Sequence, residues 1–215
     1  MKISEVYEKY QIPPLLQQHM YRVASVGRVV VGFLKPKMDL DIDVITKDLL
    51  LHDMGNIIKF SFDKNSLFSE EEATQLRKIQ ADFISKYGDE EHLATETIAK
   101  ELGMPEKVLH ILGKTGSSKL ALTVESEDWY IKVCSYSDFR VSPHGVVSIE
   151  DRFEEVKRRY AGREHVLADI EKTEKKKQLA LILEKQIQEK CSESVAGIDD
   201  VRISQVMIEL IDYEI

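Results

Sequence analysis

Apolar residues along this chain recur at intervals of three and four, seldom at two, and glycine and proline are sparse. That rhythm predicts an all-α chain with short connections. A first long helix is expected from about Pro13 to Leu34, with Pro13 and Pro14 suited to its opening turn and Lys35-Pro36-Lys37 at its exit. A second covers roughly Ile42 to Lys59. After the polar stretch "SFDKNSLF", Ser69 followed three residues later by Glu72 reads as a capping box for a helix to about Lys86, and Gly88 breaks the chain. Another helix runs from about Glu90 to Gly103, and "MPEKVLHIL" starts the next with Pro105 in its first turn; "GKTGSS" closes it. "SEDWYIKVCSYSDFRV" follows and is stopped by "SPHG", and "SIEDRFEEVKRRYAG" carries its own Ser148/Asp151 capping pair. From Arg163 to about Lys190 charge dominates, with Leu167, Ile170, Leu179, Ile182 and Ile187 as a sparse apolar stripe, which predicts a long, largely exposed helix. A polar link, "SESVAG", precedes a last amphipathic helix, and there is no internal repeat.

Length and charge bound this picture. The 215 residues suit one main domain, taken as 1–160, with a helical extension over 161–215 that packs on the core or on a second subunit. A net charge of −8 argues against general attraction to nucleic acid or an anionic membrane, though a local basic pocket is compatible with it. Cys134 and Cys191 are far apart and form no CxxC motif, so neither a disulfide framework nor a thiolate zinc site is supported. The segment "MKISEVYEKYQIPP" is charged, and the longest apolar runs are too short to span a bilayer. A soluble, cytoplasmic protein is expected.

The ionisable groups change the picture most. Steps of about 100° per residue put Ile45, Leu49, His52, Asp53 and Asn56 within one arc of the second helix. His19 falls in line with Leu15, Leu16, Val23 and Val26, and Asp138 with Ile131, Cys134 and Val141. A histidine on an apolar face is more often a hydrogen-bonded core residue than a ligand. Two inward carboxylates are harder to accommodate, because an ionised carboxylate stripped of water costs several kcal/mol unless a cation or strong donors compensate it. One divalent ion would compensate both carboxylates and both imidazoles. A nitrogen and oxygen set without thiolate suits Mn, Fe, Co or Ni, with Zn and Mg left open.

The order His19, then His52-Asp53, then Asp138 in an all-helical chain resembles the HD superfamily of metal-dependent phosphohydrolases. "HMYRVA" is similar to the family's first-histidine helix, "LLLHDMGN" to its signature helix and "SYSDFRVSPHGVVSIEDRF" to its closing aspartate segment, over about residues 13–160. The resemblance implies an HD-domain-like helical bundle and a metal held by His19, His52, Asp53 and Asp138. It also implies hydrolysis of a phosphoester, a nucleotide or related small phosphorylated metabolite, by metal-activated water. A cation would hold the substrate phosphate, an arginine by preference. Arg22 and Arg140 are placed for this by spacing, and Lys59 is the third candidate; the plain alternative for each is a surface salt bridge or a solvated side chain. His92 and His110 stand where some members carry histidines for a second metal or for acid–base work. Asn56 replaces the acidic residue that follows the signature in the alarmone hydrolases and nucleotidases, and no Gly-Tyr-Pro triplet follows, so those branches and the cyclic-di-GMP phosphodiesterases fit poorly.

Two other readings compete. "GKTGSS" is not a P-loop, since Val108 stands where the motif needs a glycine and no strand precedes it. It reads as a helix exit whose amides or Lys114 could meet an anion. The second alternative is a non-catalytic HD-type module that senses a metal or nucleotide, with the carboxyl-terminal helices pairing subunits in a homodimer.

Overall fold

The computed structural model describes residues 1–35, 38–62, 68–160 and 169–215. Eleven α-helices and one two-stranded hairpin are found among the described residues, so the chain is all-α. The centre is α2 (Pro14–Phe33), packed on three sides by α3 (Ile42–Leu51), α8 (Trp129–Phe139) and α11 (Asp200–Leu210). Its apolar residues at spacings of three and four, Leu16, Met20, Val23, Val26 and Val30, are all buried. Gly27 lets α3 approach closely, because a Cβ there would lie 2.3 Å from Leu49 Cδ1.

The second predicted helix ends early. α3 stops at Leu51; after a turn the chain continues as a short 3-10 segment, Asn56–Lys59. Tertiary contact overrides the helical rhythm here. Gly55 is pressed against α5 (Glu91–Glu101), where a Cβ would meet the Glu91 carbonyl at 2.2 Å, and its N–H donates to Thr95 Oγ1 at 2.9 Å.

Two short helices were not foreseen, α1 (Ile3–Lys9) and α7 (Leu120–Glu125), because seven and six residues are too few to show a period. α1 buries Ile3, Val6 and Tyr7, and the Tyr7 hydroxyl donates to the Leu50 carbonyl at 2.7 Å. The capping signals hold: Ser69 N–H donates to Glu72 Oε2 at the start of α4 (Glu70–Tyr87), and Ser148 Oγ accepts from Asp151 N–H before α9 (Ile149–Tyr160). α6 (Glu106–Leu112) follows Pro105, and "SPHG" forms a hairpin, β1 (Val141–Ser142) and β2 (Gly145–Val146).

The long charged helix is α10 (Ile170–Lys190); Arg163 to Leu167 of the expected stretch lie outside the described residues. Its apolar stripe packs inward where the chain needs it: Thr173, Ala180, Leu183 and Ile187 are buried, on a helix that packs against α7, α8 and α9, while Ile170 and Ile182 face solvent and most of the helix stays at least partly exposed. The side chains of α10 and α11 join the same apolar cluster as those of α2 and α3. No helix among the described residues is long and apolar enough to cross a membrane.

Arg140, at the end of α8, is 1% exposed and ties this extension down. Its guanidinium donates to the carbonyls of Val147, Val195, Ala196 and Ile198 and to the Tyr136 hydroxyl, which itself donates to Glu184. Replacing it by Met strands several buried carbonyls, so Arg140→Met is expected to destabilise the chain by about 3 kcal/mol or more in urea unfolding, and Arg140→Lys by nearly as much.

Candidate metal centre

Three helices bring the singled-out groups together. His19 lies in the first half of α2, Asp138 in the last turn of α8, and His52 and Asp53 follow directly on α3. His19 Nε2 is 3.2 Å from Asp138 Oδ1 and 3.4 Å from Asp53 Oδ2. His52 Nε2 is 3.6 Å from Asp138 Oδ1 and 3.7 Å from Asp53 Oδ2, and the two rings are 5.4 Å apart. His19, His52 and Asp53 therefore offer three donor atoms within 4.8 Å of one another, and Asp138 adds a fourth that approaches both imidazoles.

The hydrogen bonds around these donors leave the right atoms facing inward. His52 Nδ1–H donates to the Leu49 carbonyl at 2.7 Å, which puts the lone pair of the neutral ring on Nε2. That Nε2 is buried and has no hydrogen-bond partner. Asn56 Nδ2 donates to Asp53 Oδ2 at 2.8 Å and fixes the carboxylate from one side. An ion about 2.1 Å from each donor would space neighbouring donors about 3.0–3.4 Å apart, close to the imidazole–carboxylate separations of 3.2 to 3.7 Å.

The same closeness shapes the protonation of the metal-free chain. Burial disfavours the charged His52 ring, but Asp53 and Asp138 outweigh it and push its pKa up to about 10. Burial works to raise the Asp138 carboxyl, yet both imidazoles beside it hold its pKa well below the usual range. A proton on His52 thus occupies the electrostatic role that a cation would take, and a cation bound there would have to displace it.

Behind the donors lies a group that periodicity passed over. Asp48, one turn before His52 on α3, is fully buried and neither oxygen makes a hydrogen bond. Burial pushes its pKa up to about 7, against the lowering influence of the Cys134 thiol and the His52 charge. The i to i+4 spacing from His52 was the signal available for it.

The donors open into a cavity of about 1080 Å³. Lys59 and His92 both line it; Lys59 pairs with Glu91, and His92 Nε2 lies 3.2 Å from Glu91 Oε1. Burial lowers the His92 pKa. Other expected residues are placed elsewhere. Arg22 turns to Asp200 at 3.6 Å, Arg140 is enclosed by the carbonyls described above, and His110 sits exposed beside Asp128 at 3.7 Å. None of the three lines the cavity, because each helical spacing fixed only a rank along the chain and the rotamers follow the nearest acid or carbonyl. Arg152, Arg159 and Lys176, which sequence spacing did not single out, supply its other cations. Family models, curated proteins and solved structures were all compared with the chain, and none matches.

Two outcomes are expected. Protein refolded with Mn or Co should retain near one equivalent, and Asp53→Ala should lose most of it by elemental analysis; unchanged content would remove Asp53 from the donor set. For Asp48, the folded pKa lies above the ordinary 3.8, so the folded state binds that proton more tightly. Its contribution is complete below pH 3.8 and is lost as pH rises through about 7. Asp48→Asn should therefore be the more stable chain above pH 7, by on the order of 3 kcal/mol, with the gap closing toward pH 4 in thermal melts.

Proposed function

We propose that this chain is a metal-dependent phosphohydrolase acting on a nucleotide or a related small phosphorylated metabolite. The observation that carries the reading is the convergence of His19, His52, Asp53 and Asp138 at the wall of a large cavity that also presents cations and aromatic faces. The order of those groups along the sequence, His19, then His52-Asp53, then Asp138, is the one in which the chain resembles the HD superfamily, and it supports this reading. A cavity of about 1080 Å³ is at the upper end of small-ligand sites, which run to roughly 1,000 Å³.

His19, His52, Asp53 and Asp138 would hold a divalent ion of the Mn, Fe, Co or Ni kind, with Zn and Mg as further options. When bound, the ion would lower the pKa of a water ligand toward neutrality and draw charge from the phosphoryl oxygens. Asn56 keeps Asp53 oriented, and the Leu49 carbonyl keeps the His52 ring in the tautomer that exposes Nε2. Lys59 is the cation that reaches the cavity from the end of the signature segment, in place of Arg22 and Arg140. His92, neutral above its lowered pKa, can accept a proton but is poorly suited to supply one. The stacked Phe60–Phe68 and Phe139–Phe153 pairs offer faces on which a base or other flat group can lie.

Mn- or Co-loaded protein is expected to release phosphate from at least one member of a panel of nucleotides and phosphomonoesters. His19→Ala and Asp138→Ala should lower kcat by roughly a hundredfold or more, whereas Arg22→Ala should stay within about twofold. Binding of panel members without any turnover would replace this reading with that of a sensing module.

A further inference from the structure

One cation on the cavity wall has no acidic partner among the described residues. On α10, Lys172 pairs with Asp169 at 3.0 Å and Lys177 with Glu174 at 2.7 Å, but half-buried Lys176 between them makes no ion pair among the described residues. It projects into the cavity that holds the His and Asp donors. The other cations there are engaged: Arg152 and Arg159 with Glu155, and Lys59 with Glu91. Glu90 also lines the cavity without pairing with Lys176.

The loop that fails as a P-loop builds the rest of this wall. Gly116, at φ 119°, lays its backbone against His92, where a Cβ would stand 3.1 Å from the ring. That turn presents Ser117 and Ser118 to the cavity, and both share with Lys176 an adjoining recess of about 180 Å³. Lys172 and Lys175 line the same recess, and no carboxylate among the described residues does. The Lys176 pKa is lowered by burial first and then by the like charge of Lys59. Lys59 already has the Glu91 carboxylate beside it, whereas Lys176 has no such neighbour among the described residues and an anion in this space would supply one.

We propose that Lys176, with the Ser117 and Ser118 hydroxyls, binds a second phosphate of the substrate, distinct from the phosphate at the His and Asp donors. The substrate is then a di- or triphosphate or a bisphosphate, and a simple monophosphate leaves this wall empty. This assignment rests on the phosphohydrolase reading for its substrate, but the anion site itself is testable without turnover.

The test titrates metal-free protein with inorganic phosphate and with tripolyphosphate by calorimetry. Wild-type protein is expected to bind tripolyphosphate at least tenfold more tightly than phosphate. Lys176→Gln should remove about tenfold or more of that affinity, the value of one charge-assisted contact, and Lys176→Arg should restore most of it. Lys185→Gln, an exposed lysine on the same helix, should change it by less than about twofold. No preference for tripolyphosphate in the wild type, or equal losses in Lys176→Gln and Lys185→Gln, would overturn the proposal. Should the Lys176 dependence hold while metal-loaded protein hydrolyses nothing on the panel, the second-anion site stands and the hydrolase reading falls.

Discussion

The guanidinium of Arg140 has five N–H donors to satisfy and almost no water with which to satisfy them. Carbonyls from two stretches, Val147 and the 195–198 segment, meet it, so those stretches cannot shift without leaving buried N–H donors unmet. Arg140 lies two residues beyond Asp138, at the end of α8. The 195–198 segment leads straight into α11, which covers α2, the helix that carries His19. One side chain thus fixes where α8 ends and how the last helix lies against the first long one. The relative placement of His19 and Asp138 depends on that clamp, although Arg140 does not line the cavity they share.

Within that frame the fold concentrates negative charge. Asp53 and Asp138 flank two imidazoles, with the buried Asp48 one turn behind. A stability-driven core would replace such groups with aliphatic side chains at little cost or with a gain. Instead the metal-free chain holds a proton on His52 far above its usual pKa and leaves both Asp48 oxygens without hydrogen bonds. Stability is given up locally, and what it maintains is a close cluster of imidazole and carboxylate groups.

Much of this was legible in the sequence, and the exceptions have physical reasons. Helical periodicity located α2 and α8 and the inward faces that carry His19 and Asp138, because burial imposes its period on long helices, and it brought His52 and Asp53 to the same side although both lie just past the end of α3. It extended the signature helix to Lys59, since nothing local shows that Gly55 is pressed against the Glu91 carbonyl from another helix. Arg22 and Arg140 have the right spacing from the histidine and the aspartate, but spacing carries no information about the rotamer. Asp200 draws one away, and the carbonyls after α10 enclose the other. Lys176 was hidden for a different reason. It stands in a run of charge that reads as solvated surface, and only the packing of α10 on α7 and α9 turns one of those lysines inward.

The early end of α3 matters beyond where it points His52 and Asp53. A helix concentrates partial negative charge on its last carbonyls, and here the Leu49 and Leu50 carbonyls accept from the His52 ring and the Tyr7 hydroxyl. The macrodipole of α3 therefore adds its negative pole to Asp53 and Asp138. On the proposed reading this imposes a sequence of arrival: an incoming phosphate meets a repulsive field at the donors until a cation has reversed it. The ion would load first and the anion second, and a ligand that reached the cavity before the ion would be held by the proposed Lys176 site.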